Sequence, residues 1–351
     1  MQVDPAEASL GRLLFYDPIL SGNRNISCGT CHNHDYASTD GVALGFGEGG
    51  NGLGPAREQG TARQRQSRNA PGLWNLGARG VTTLFHDGRV FVNSAGVPPP
   101  PAGAALPKRL SGVVAAQALF PMIARSEMAG DPMENPVAAA SETNVTQAWH
   151  MLARRVANTT AYAQGFREFD QNLQPNKITI THIANALAAF VRQEWQATNT
   201  PFDQFLRGDR LALNAAQKHG MDLFFGRAEC ATCHSGSLLS DQSFHALGLA
   251  QFGPGLTRRF DPVARDVGRM AVTDLAQDAY RFRTPSLRNV LLTGPYGHNG
   301  AYPTLAGMIR HHAGQDHWTP DMAQLPDVPW LSQSDFVIRE DHREMARQAA
   351  A

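Results

Sequence analysis

Cys28-Gly29-Thr30-Cys31-His32 and Cys230-Ala231-Thr232-Cys233-His234 together use all four cysteines of the 351-residue chain. In a Cys-x-x-Cys-His segment the two thiols are spaced to form thioethers to one haem, and the histidine that follows reaches the iron from below. Four cysteines outside the cytosol otherwise suggest two disulfides, and paired Cys-x-x-Cys segments suggest zinc or a redox dithiol. Zinc does not require a histidine after both pairs, and a dithiol does not require two copies. The duplicated motif therefore points to two covalently bound haem c groups. They are attached at Cys28 and Cys31 and at Cys230 and Cys233, with His32 and His234 as iron ligands.

Such haems are attached outside the cytoplasm, so the expected location is the periplasm. The start, Met1-Gln2-Val3-Asp4-Pro5, lacks the basic-then-apolar pattern of a secretory leader and reads as a mature chain. Composition is that of a globular protein, 42% hydrophobic and 18% charged. No apolar run is long enough to span a membrane. Thirty-one basic residues balance 31 acidic ones, which removes any general electrostatic case for nucleic acid or an anionic membrane as partner.

Outward from the motifs the pattern is helical. Thr181 to Arg192 puts Ile183, Leu187, Phe190 and Val191 on one face, with Thr181 available as a cap. Gln147 to Val156 also suits a helix. Gly45 to Gly54 holds six glycines and can fold closely over a cofactor; Val97 to Pro107 holds five prolines and reads as stiff and exposed. The expected fold is mainly α, two cytochrome c-like haem domains in tandem with long loops. The boundary is set near Gln174-Pro175-Asn176, giving an N-terminal domain over 1–174 and a C-terminal one over 175–351, whose tail packs back on the first.

Further segments carry a resemblance. They are Leu14-Phe15-Tyr16-Asp17-Pro18-Ile19-Leu20-Ser21, Arg68-Asn69-Ala70-Pro71, Phe85-His86-Asp87-Gly88-Arg89, Gln117-Ala118-Leu119-Phe120-Pro121 with Glu127-Met128, Thr200-Pro201-Phe202-Asp203, Thr284 to Val290, and Thr293-Gly294-Pro295-Tyr296-Gly297-His298. In this order around two haem motifs, the chain resembles the bacterial diheme cytochrome c peroxidases and their relative MauG. The resemblance implies a peroxidase-type diheme oxidoreductase in which the N-terminal haem meets H2O2.

Gln117, Pro121 and Glu127 match the family's distal pocket. Glu127 is the catalytic candidate, because O–O heterolysis needs a group that takes a proton from one oxygen and returns it to the other. Read alone, a glutamate is more often a solvated surface acid. The loop Asp40 to Asn69 contains no histidine where related peroxidases often carry an inhibitory one, and His34 lies too close to His32 to swing across. A five-coordinate first haem is expected. The second iron takes its upper ligand from the helix beginning at Leu305, where the family position is His312, with Met308 as the alternative. His86 stands where the family usually has a tryptophan between the haems, and an imidazole is harder to oxidise, though it can relay a proton. The resemblance also implies a Ca2+ between the domains, held by the Asn69 side chain and the Thr293 and Pro295 carbonyls.

Three functions follow. The first is a MauG-like oxidase that stores oxidising equivalents and oxidises a Trp or Tyr of a secreted or periplasmic protein; members encoded beside copper-peptide biosynthesis genes look like another version of it. The second is a detoxifying peroxidase fed by a small cytochrome or copper protein. The third is a plain electron-transfer cytochrome, which requires a strong second ligand on both irons, with His245 or His150 reaching over the first. Trp74, Trp149, Trp195, Trp318 and Trp330 are candidate stations for charge, of which Trp195 is favoured, although tryptophan at helical spacing is more often core.

Overall fold

The computed structural model describes residues 3–92, 105–249, 253–256 and 265–314. Most of the prolines in 97–107, together with Trp318, Trp330 and the C-terminal tail expected to fold back, lie outside the described residues. The architecture is mainly helical. Helices α1 (Pro5–Tyr16), α2 (Cys28–Cys31), α3 (Val113–Ala118), α4 (Pro136–Thr143), α5 (Val145–Ala157), α6 (Thr160–Phe169) and α7 (Ile180–Glu194) precede the second haem motif, as do α8 (Pro201–Leu206) and α9 (Ala215–Phe225). α10 (Met270–Thr273) and α11 (Leu305–His312) follow it. Two antiparallel ribbons are all the described sheet: β1 (Thr83–Leu84) with β2 (Val90–Phe91), and β3 (Phe244–His245) with β4 (Phe282–Arg283).

The first core is built by α1, α3, α5, α6 and α7. Leu10, Leu14 and Phe15 of α1 meet Ile183, Leu187 and Phe190 of α7, with Trp149, Leu152 and Phe166 closing the other side. Each such side chain contributes roughly 1.5–3 kcal/mol by leaving water. The α1/α7 crossing is close because of Gly11: a Cβ there would lie 1.9 Å from the Ala186 carbonyl oxygen.

Helix α7 begins earlier than the sequence pattern suggests. Its N-cap is Thr179, not Thr181, and the His182 ring accepts the Thr179 N–H at 3.0 Å to complete a capping box. Thr181 instead bonds the Lys108 carbonyl at 3.3 Å. Residues 180–195 pack in the first core, where their apolar face meets α1.

The second half is looser, with two small clusters. Leu249, Tyr296, Ala301 and Tyr302 enclose Leu44 from the first half, and Val267, Met270, Ala279 and Tyr280 form the other. The halves are joined by polar contacts as well. The Arg68 guanidinium is buried between Asp87 at 2.6 Å and Asp266 at 2.7 Å. Arg283 N–H bonds the His86 carbonyl at 2.7 Å, and Arg269 donates to the Asp87 and Gly88 carbonyls at 2.9 and 2.8 Å. Among the described residues no helix is long and apolar enough to cross a membrane.

Candidate active site

The two Cys-x-x-Cys-His segments share one local design. The first is α2, opened by Ser27, whose N–H bonds the Thr30 hydroxyl at 3.1 Å. The second is a single tight turn over Cys230–Thr232. In the first, His32 Nδ1 lies 2.9 Å from the Ser38 carbonyl oxygen; in the second, His234 Nδ1 lies 3.1 Å from that of Leu239. A carbonyl accepts only, so each Nδ1 carries the proton and each Nε2 is left as a lone-pair donor, the tautomer an iron ligand needs. Both acceptor residues are left-handed, Ser38 at φ 72° and Leu239 at φ 52°. That turn aims the carbonyl back at the ring. Burial holds both imidazoles below their usual pKa, and so in the neutral form that ligation requires. This donor set fits a haem iron at both places.

Over the second motif, His312 faces His234. The ring centres are 6.4 Å apart, and His312 Nδ1 donates to the Met308 carbonyl at 2.8 Å, again freeing Nε2. A metal-bound imidazole nitrogen is about 2 Å from the ion and about 1 Å from its own ring centre, so two rings on opposite sides of one ion have centres about 6 Å apart. Met308 turns its side chain to the Leu249–Tyr296–Tyr302 cluster. His311 is committed elsewhere, its Nδ1 to Tyr302 Oη at 2.8 Å and its Nε2 to the Leu247 carbonyl at 2.7 Å. His245 pairs with Asp241 at 2.9 Å and His150 is exposed.

Of the residues expected at the first haem, Gln117 comes from α3, Pro121 opens the turn Pro121–Ile123, and Glu127 sits in a π-helical turn over Arg125–Ala129. Such turns recur at functional sites. The Trp149 indole N–H supports this segment, donating to the Leu119 carbonyl at 3.1 Å. Burial raises the Glu127 carboxyl above the usual range, and the positive charge of Arg89 pulls it part of the way back. The Glu127 carboxylate also bears on Cys31, so it stands near the haem-attachment segment.

The glycine-rich loop lies directly on the Glu127 turn. Glu48 N–H donates to the Glu127 carbonyl at 2.9 Å, and Gln66 Nε2 to the Ser126 carbonyl at 2.5 Å. Gly47 permits the approach: a Cβ there would be 2.0 Å from the Ser126 oxygen. Arg57 locks the loop by donating to the carbonyls of Phe46, Gly47 and Gly52 at 2.8, 2.6 and 2.7 Å. Sequence reasoning singled out the glycines but missed Arg57, Glu48 and Gln66, since an arginine that binds only carbonyls has no motif. Both ring nitrogens of His34 are engaged, by Tyr16 and by Glu194.

His86 lies between the halves beside Arg68, His298 and Arg283. Burial first, then these positive or protonatable neighbours, lower it to about 3, so it is neutral. His298 is buried and lowered to about 4, mainly by burial, and stacks on Phe282 with centres 3.8 Å apart.

The residues expected to hold calcium partly converge. Asn69 N–H donates to the His298 carbonyl at 2.8 Å and Asn69 Nδ2 to the Pro295 carbonyl at 2.7 Å. Asn69 Oδ1 is buried with no partner, a costly state that a hard cation would relieve. Thr293 closes the neighbouring turn, its N–H on the Val290 carbonyl and its methyl against Gly72.

Residues 5–211 match the family model for di-haem cytochrome c peroxidase. The cytochrome c peroxidase Ccp of Escherichia coli is 32% identical over 90% of this chain, which spans 56% of that longer protein. The methylamine utilization protein MauG of Methylorubrum extorquens is 31% identical over 88% of this chain and 69% of its own. Among solved structures, a MauG-like protein associated with microbial copper homeostasis superposes with a TM-score of 0.62 at 28% identity, covering 88% of this chain and 76% of that one. The diheme peroxidase BthA of Burkholderia thailandensis, at 20% identity and 0.60 over 88% of this chain and 71% of its own, shares the fold. The chain belongs to the di-haem cytochrome c peroxidase family, whose members include MauG.

Proposed function

We propose that the chain is an H2O2-dependent diheme c-type oxidase of the MauG kind, acting in the periplasm on an aromatic side chain of a partner protein. Haem c groups at Cys28/Cys31/His32 and Cys230/Cys233/His234 supply the redox chemistry when bound. The observation that carries the reading is the asymmetry of the two sites. His234 is faced by His312 at a spacing suited to one shared ion, whereas the first motif has Glu127 bearing on Cys31 from beneath a loop with no histidine.

In this reading the residues work as follows. Glu127, kept protonatable by burial, accepts a proton from the nearer peroxide oxygen and delivers it to the departing one. Gln117 orients the peroxide by hydrogen bonding and Pro121 shapes the pocket wall. Arg57, Glu48 and Gln66 hold the loop over Glu127 and limit water. His86, neutral, passes a proton or binds a haem edge between the halves. Asn69, Thr293 and Pro295 would hold a Ca2+ ion, which would tie the two halves together there.

The named relatives support a second reading equally: a cytochrome c peroxidase reducing H2O2 with electrons from a small cytochrome or copper protein. Steady-state turnover separates them. Slow turnover with any such donor, and a long-lived oxidised state after peroxide, are expected for the first; rapid donor-dependent turnover would establish the second.

A further inference from the structure

Tyr16, the last residue of α1, lies with its ring against the first haem motif. A Cβ on Gly29 would fall 2.3 Å from Tyr16 Cδ1, so the phenol covers the backbone between the two attachment cysteines. Its hydroxyl is hydrogen-bonded to His34 Nδ1, and His34 Nε2 is 2.8 Å from Glu194 Oε1. A carboxylate accepts from Nε2, so Nδ1 is the acceptor for the tyrosine O–H. Trp195 backs the imidazole with ring centres 5.2 Å apart, and Phe15 and Phe190 pack around the indole. The outer side is open: Tyr16 is 38% exposed and Leu13, one turn back, 59%.

A phenol that touches the haem segment on one side, faces solvent on the other and has a built proton acceptor is suited to carry charge outward. The oxidation of a phenol is far easier when its proton has somewhere to go.

Resting on the peroxide-dependent reading above, we propose that Tyr16 is the exit port through which oxidising equivalents of the first haem reach an electron-rich aromatic side chain of a protein docked on this face. Tyr16 would give one electron to a peroxide-oxidised haem held at Cys28, Cys31 and His32. The phenolic O–H bond breaks and its proton moves along the existing hydrogen bond to His34 Nδ1, while Nε2–H stays on Glu194. The resulting phenoxyl takes one electron from the partner's indole or phenol, which releases its own proton to water, and the proton on His34 returns to Tyr16.

The same bonds also tie α1, the loop after the motif and the end of α7 together, and a merely structural tie yields no radical. The test is electron paramagnetic resonance of the holoenzyme freeze-quenched after H2O2 without partner, with ordinary and ring-deuterated tyrosine, alongside the Soret band. The expected result is a radical whose spectrum narrows on ring deuteration, is lost in Tyr16→Phe and persists in Tyr36→Phe, Tyr36 being the tyrosine whose ring packs on Gly54 of the glycine-rich loop. Phenylalanine keeps the ring packing on Gly29, and the deuteration arm needs no variant. A Soret change without a tyrosine radical, or a radical that survives Tyr16→Phe, overturns the exit port alone. No Soret change with peroxide overturns the peroxide-dependent reading and the port with it.

Discussion

The imidazoles of His234 and His312 face each other with ring centres 6.4 Å apart, and each is turned by an Nδ1 hydrogen bond to a backbone carbonyl, Leu239 for one and Met308 for the other. Two rings from distant parts of the chain thus present free Nε2 atoms toward one place. His312→Met is expected to raise the potential of the second haem and introduce a far-red sulfur-to-iron absorption band. His312→Ala is expected to abolish that haem's low-spin spectrum. A wild-type protein that already shows the far-red band would make Met308 the ligand.

Glu127→Gln keeps the shape of the pocket and removes the base. The rate of the first reaction with H2O2, followed by stopped-flow at the Soret band, should fall about 10²–10⁴-fold while haem content is unchanged. An unaltered rate would remove Glu127 from proton transfer.

Gly47→Ala tests the loop. Its Cβ would meet the Ser126 carbonyl at 2.0 Å, and neither partner is a flexible side chain. The strain should cost about 1–3 kcal/mol, read as a lower thermal midpoint together with a slower peroxide reaction, because the Glu127 turn must shift. Lower stability with an unchanged peroxide rate would show that the loop is structural only.

The buried Arg68 predicts acid sensitivity. Burial opposes ionisation of Asp87, but Arg68 and Arg89 outweigh it and hold the carboxyl at about 2; Asp266 is likewise depressed by Arg68 against its own burial. A carboxyl lowered on folding binds fewer protons folded than unfolded, so its contribution is complete above the unfolded pKa of about 4 and is lost as pH falls toward 2. For Asp87 that is about 2 kcal/mol. Arg68→Leu should destabilise by roughly 3–5 kcal/mol by leaving the buried Asp266 carboxylate without its guanidinium and Asp87 with Arg89 alone, and should flatten this acid limb of the stability profile. An acid limb that survives in Arg68→Leu would assign it to other groups.

How much of this was legible in the sequence differs from place to place. Cys28 to His32 and Cys230 to His234 stand out because the two segments repeat one spacing and use all four cysteines. The α7 core face was readable from its helical period, yet its partner α1 was not. The anchors Ser38 and Leu239 were invisible, since their left-handed backbone is imposed by the surrounding turn on residues that do not favour it. Arg68 was visible as part of a motif, while its bond to Asp266, 198 residues away, was not. Thr179 lost to Thr181 in the sequence reading because a histidine at the third helical position is an unusual capping partner.

The central claim is that the two haem sites differ, one open beneath Glu127 and one closed by His312. Electron paramagnetic resonance of the oxidised holoenzyme tests it most directly. The account predicts one high-spin haem and one low-spin haem of bis-histidine type in equal amounts; two low-spin haems with no high-spin signal would contradict it.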